Sequence, residues 1–175
     1  MLNATHHSAS TSAAILSVPS FGHNDAEQII IPSERADLQT FEHNIDIYLK
    51  ESNAYGNTYF ARYFEWQGVC RERWFHRCIS ADMLQNQGVF ITKRAHQDYM
   101  QETFPFQTVQ CEVNTFEVKS CSFYLLFRFL VDGRTVSQGY QQIVFASHDK
   151  RIQRLPDHIL KKVRAYEMSS CDWIN

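Results

Sequence analysis

The chain has 175 residues, 44% of them hydrophobic and 21% charged, which suits one domain with a substantial core and an ordinary soluble composition. Collagen-like, wholly disordered and supercharged classes are excluded, and a formal net charge of −2 leaves no electrostatic footprint for nucleic acid. The 5 cysteines are widely spaced with no Cys-x-x-Cys pair, which predicts a reduced, cytoplasmic protein without a metal or cofactor.

Residues 1–36 are rich in Ser, Thr, Ala, Asn and His without sustained periodicity and predict a mobile arm, in which His6 and His7 are solvated rather than ligating. They lack the basic start and apolar stretch of a secretory signal. The folded domain is expected over residues 37–168 and a tail over residues 169–175. From Phe41 the chain alternates, with Phe41, His43, Ile45, Ile47 and Leu49 on one side, the pattern of a half-buried strand. Turn formers from Glu51 to Asn57 break the period, and Thr58 is placed to cap a long helix reaching Cys78.

Strands are predicted over Val89–Glu102, Gln107–Val118, Ser120–Val131 and Thr135–Ser147. Asp132-Gly133 supplies a tight hairpin turn between the last two, because both residues tolerate positive φ. The Ser120–Val131 strand holds the longest apolar run, but it contains Arg128 and is far too short to span a bilayer. A short helix over Asp157–Tyr166 follows Pro156, with Lys161, Lys162 and Arg164 at its negative pole. One helix cannot cover so large a sheet unless the sheet curls around it, so the class is α+β.

A helical wheel puts Phe60, Tyr63, Phe64, Gln67, Arg71, Trp74, Phe75 and Cys78 on one face. Gln67 and Arg71 stand out there. A guanidinium does not lose its proton, so Arg71 must meet a ligand, tie down carbonyl groups or reach back to solvent along its stem. Asn53, Gly56 and Asn57 precede the helix, whose free N–H groups suit developing negative charge; Asx residues also simply make turns and caps.

The stretch from Asn53 to Glu72, including Trp66-Gln67-Gly68 and Cys70-Arg71-Glu72, resembles the signature of hotdog-fold acyl thioesterases, most closely the subgroup of enediyne polyketide biosynthesis. Gly56 and Tyr59 match residues of the wider 4-hydroxybenzoyl-CoA thioesterase-like family. Asn53 stands where that family usually has Asp, Phe60 where many members have His, and Gly68 where many have Glu, so the usual carboxylate machinery is missing. The resemblance covers about residues 39–167 and implies a strongly curved antiparallel sheet around the long helix. It also implies a homodimer or homotetramer with sites at the subunit interface.

The resemblance makes Asn53, Tyr63 and Arg71 the catalytic set, with Gly56, Asn57, Tyr59, Phe60, Phe64 and Gln67 around the substrate and backbone N–H groups near Tyr59 and Phe60 polarising its carbonyl. The implied reaction is hydrolysis of a long acyl or polyketide chain from an acyl carrier protein or CoA. Decarboxylation follows if the product is a β-keto acid. A binding protein that does not turn its thioester over, and a hotdog dehydratase, are the alternatives. Residues 148–167 carry 6 Lys or Arg against 3 Asp or Glu, a surface suited to an acidic carrier protein.

Overall fold

The computed structural model describes residues 38–80 and 88–171; the predicted arm lies outside them. Strand β1 is Phe41–Asp46, helix α1 is Arg62–Trp74, and the later strands are β2 (Val89–Tyr99), β3 (Thr108–Phe116), β4 (Ser122–Val131) and β5 (Arg134–Ala146), followed by helix α2 (Asp157–Arg164). The strands form one antiparallel sheet in the order β1-β3-β4-β5-β2. Both hairpin residues adopt positive φ, Asp132 at 50° and Gly133 at 74°, the conformation that matches a two-residue turn to strand twist.

Alternation in β4 turns Phe123, Leu125, Phe127 and Phe129 toward α1, where Trp66, Cys70 and Trp74 are buried one helical turn apart. Edge-on ring contacts join the layers: Trp74 meets Phe123 at 6.2 Å and Tyr63 meets Phe129 at 5.1 Å. On the opposite face of the sheet, Leu126 and Tyr140 are buried with Met168 and Cys171. The packed body therefore extends past residue 168.

Three local expectations are corrected. The long helix begins at Arg62 rather than Thr58, because Thr58 is extended, bridges to Ser52 and donates its N–H to the Thr103 carbonyl. The alternation of β1 ends at Ile47, since Leu49–Glu51 form a 3-10 turn that leaves Leu49 exposed. The buried stripe of α1 is centred on Trp66, Cys70 and Trp74, so Phe60 and Phe64 are exposed and Arg71 falls at the border of the stripe. Beyond Trp74 the helix widens into a π-helical turn, Phe75–Ile79.

Candidate active site

The loop before α1 closes on itself. The Asn53 N–H donates to the Asn57 carbonyl, the Gly56 N–H donates to the Asn53 carbonyl, and the Asn53 side-chain oxygen accepts from the Tyr55 N–H at 2.8 Å. Gly56 holds φ at 84°, a turn position that favours glycine; it is exposed and shapes the loop without lining the hollow that Asn53 and Asn57 border. Asn53, Asn57, Phe60 and Tyr63 line a hollow of about 290 Å³, closed on the other side by Tyr99, Glu102 and Thr103.

Hydrogen bonds in this hollow fix several proton positions. Thr58 donates its hydroxyl to the Thr103 carbonyl and Thr103 donates its hydroxyl to Thr58, so the Tyr63 hydroxyl, 3.0 Å away, donates to Thr103. Burial raises the pKa of the Tyr63 phenol, with Tyr99 adding to the shift against the opposing Thr103 contact. Tyr63 is therefore a neutral phenol near pH 7 and no base. Asn57 donates its amide to the Glu102 carboxylate at 2.7 Å, and its own side-chain oxygen is buried without a partner. Glu102, which lines this hollow, escaped the sequence reading because nothing in its neighbourhood marks it; only the fold carries the end of β2 beside the Asn53 loop.

Arg71 belongs to a second hollow. A cavity of about 300 Å³ lies between α1 and the sheet, walled by Trp74, Phe75, Phe90, Phe123, Leu125 and Ile143, with Arg71 contributing to its lining. The Arg71 side chain is 27% exposed. Its Nη1 donates to Thr92 Oγ1 at 2.6 Å and to Gln141 Oε1 at 3.1 Å, while Nη2 lies 3.6 Å from Glu72, beyond hydrogen-bond range. Trp74, a wall residue, keeps a buried indole N–H without an acceptor.

The expected catalytic set is thus divided within one chain: Asn53 and Tyr63 share one hollow and Arg71 lines the other. Of the expected substrate contacts, Asn57 and Phe60 line the first hollow, whereas Tyr59 and Phe64 are exposed outside both. Gln67 is fully buried and spends its amide on protein groups. The Tyr59 N–H is also committed, to the Glu51 carbonyl at 2.8 Å. Among the described residues, the Phe60 N–H has no backbone acceptor.

Residues 44–163 match the thioesterase-like superfamily. The chain belongs to that superfamily. No curated protein sequence matches it. Three solved structures show the fold this thioesterase-like chain shares. The dynemicin thioesterase, whose crystal structures describe polyene binding, is 20% identical over 75% of this chain and 100% of its own, with a TM-score of 0.68. A Staphylococcus aureus protein solved in complex with CoA is 14% identical over 81% of this chain and 93% of its own, with a TM-score of 0.70. The 1,4-dihydroxy-2-naphthoyl-CoA thioesterase from Synechocystis is 12% identical over 71% of this chain and 96% of its own, with a TM-score of 0.63. The curved sheet around α1 is a hotdog fold.

Proposed function

We propose that this protein hydrolyses the thioester of a long acyl or polyketide chain carried by an acyl carrier protein or CoA. The observation that carries the reading is Arg71, a permanent cation with unspent donors beside an apolar cavity of about 300 Å³. The cavity takes the hydrocarbon. The guanidinium meets the oxygen that becomes negative when water adds to the thioester carbonyl. The tetrahedral intermediate then collapses, breaking the C–S bond to give a carboxylic acid and a thiol.

Asn53 orients the water, since an amide is no base at neutral pH. Glu102, the carboxylate in the same hollow, takes a proton from the attacking water and returns it to the departing sulfur. A β-keto acid product loses CO2 after release.

The two hollows meet through a second copy of the chain. Strand β2 is an edge strand that touches the Arg71 cavity at Phe90 and the Asn53 hollow at Tyr99. Antiparallel pairing of β2 with its own copy about the middle of the strand sets the Tyr99 end of one chain beside the Phe90 end of the other. Asn53, Tyr63 and Glu102 of one subunit then face Arg71 of its partner.

The carrier-facing surface predicted over residues 148–167 is partly spent internally. Lys162 donates to the Ile79 carbonyl, and Arg164 donates to the Val118 carbonyl and to Glu167. A free-thiol assay with acyl-CoA and acyl-carrier substrates of matched chains tests the reading. Thiol release that rises with chain length supports it, and tight binding without release makes the protein an acyl-thioester sensor.

A further inference from the structure

Behind Arg71 runs a row of buried amides whose orientation is forced from its far end. Gln97, on β2, donates its side-chain N–H to the Gln138 carbonyl at 2.9 Å and to Ser137 Oγ at 2.6 Å. A carbonyl only accepts, so the Gln97 Oε1 must face the other way, toward Gln67. Gln67, on α1, donates to that oxygen at 2.6 Å and to the His96 carbonyl at 2.9 Å. Both its N–H groups are then spent, and its Oε1 is left to accept from Gln141 Nε2 at 3.1 Å. Gln141, on β5, therefore presents its Oε1 to Arg71 and cannot present its amide instead.

Every donor in the row points away from the guanidinium: Arg71 to Gln141, Gln141 to Gln67, Gln67 to Gln97, Gln97 to Ser137, and Ser137 to the Asp98 carbonyl at 2.5 Å. Flipping Gln141 alone would set its N–H groups against Arg71 and its oxygen against the Gln67 oxygen. Thr92 Oγ1 supplies the second acceptor for the same Arg71 Nη1 at 2.6 Å. Gly139 makes room for the row, because a Cβ there would lie 2.5 Å from Gln67 Nε2 and 2.6 Å from Gln97 Oε1.

We propose that Gln141, locked by Gln67 and Gln97 and assisted by Thr92, is the positioning residue for Arg71. It pins Nη1 so that Nη2 and Nε are presented to the thioester oxygen. A fixed acceptor removes the rotamer freedom of the Arg side chain before substrate arrives. The inference rests on the reading of Arg71 as the oxyanion stabiliser.

The test uses the full chain and a long-chain acyl-CoA, with Arg71→Ala, Gln141→Leu, Thr92→Val and the double variant Arg71→Ala/Gln141→Leu, each checked for folding by circular dichroism. Gln141→Leu should lower kcat by about a hundredfold, the penalty for a stabiliser displaced by about 1 Å, with little change in KM. Millimolar guanidinium should restore turnover to Arg71→Ala, where Gln141 still holds the vacated place, and not to the double variant. Equal rescue of both, or full kcat in Gln141→Leu beside an inactive Arg71→Ala, overturns the positioning role. Full turnover in Arg71→Ala overturns the reading of Arg71 itself. If Gln141→Leu does not fold, Thr92→Val carries the test: it sits at the exposed end of the contact, a fall in kcat at constant KM supports the role, and unchanged kcat overturns it.

Discussion

Arg71 is held by two neutral oxygens and by no carboxylate within hydrogen-bond range. Glu72, 75% exposed, lies 3.6 Å from Nη2 and offsets the charge only in part, which leaves guanidinium donors for a ligand. If two of its donors share the developing oxyanion, Lys cannot replace it, because an ammonium lacks the planar fork. Arg71→Ala and Arg71→Lys should each lower kcat by about a hundred- to a thousandfold while thermal unfolding stays close to that of the unmodified protein. A destabilised Arg71→Lys with normal turnover per folded molecule would mark Arg71 as a structural tie. His43 carries a separate expectation. Burial lowers its pKa, with Arg73 and Arg77 adding to the effect, so the folded state favours the neutral ring. That stability is present above the unfolded value of about 6.5 and is lost as pH falls through it toward the folded pKa. The melting temperature should drop more steeply on acidification in the unmodified protein than in His43→Gln, and parallel curves would contradict this.

Strand β2 shows how far local pattern reaches. Its bulge leaves Lys93 without a partner on β5: Thr92 pairs with Ile143 and Arg94 with Gln142. An extra residue reverses which side chains face the core. Thr92 before the bulge and Gln97 after it consequently both face α1, where they bond Arg71 and Gln67. No two-residue alternation in the sequence could place both. The β4–β5 hairpin, by contrast, was legible because Asp132-Gly133 and the alternating aromatics of β4 each specify it locally. The helix was legible as an element but not in its phase, because the stripe it buries, on Trp66, Cys70 and Trp74, is chosen by packing against Phe123 and Phe129 of the distant strand β4. Of the expected site, the Asn53 loop and Arg71 were visible as polar residues at unusual places. Glu102, Thr92 and Gln141 were not, since each matters only through a neighbour distant in sequence. Gly139→Ala tests the close packing of β5 against β2 and the Gln67 amide at this point. The added methyl collides with the His96 carbonyl and with the Gln67 and Gln97 side chains and should cost about 1–3 kcal/mol of stability, read as a lower denaturant midpoint; an unchanged midpoint would show that strand β2 and the two amides give way freely.

At the scale of the whole molecule, the proposed division of the site between two copies makes a prediction that no single-chain site shares. Asn53→Ala and Arg71→Ala should each be inactive alone. Unfolded together and refolded as a mixture, they should recover part of the lost turnover, because mixed pairs contain one hollow with an intact Asn53 facing an intact Arg71. Continued inactivity of a mixture shown by mass to contain mixed pairs would place all the chemistry within one chain. The sheet has two edges, and they differ. Strand β1 spans 6 residues, with exposed Glu42, Asn44 and Asp46 and no large exposed apolar side chain. Strand β2 spans 11, with Ile91 and Tyr99 exposed together with Lys93 and Arg94. A short charged edge discourages pairing; β2 also carries charge, at Lys93 and Arg94 beside its bulge, but its greater length and its exposed apolar side chains make it the edge the proposed pair would use. A sheet with one inviting edge accepts a single neighbour, and that neighbour arrives with its own inviting edge already used. In the proposed pair, growth by strand addition would terminate at two copies, so the pairing that brings the two hollows together would also leave no β2 edge from which a fibre could grow.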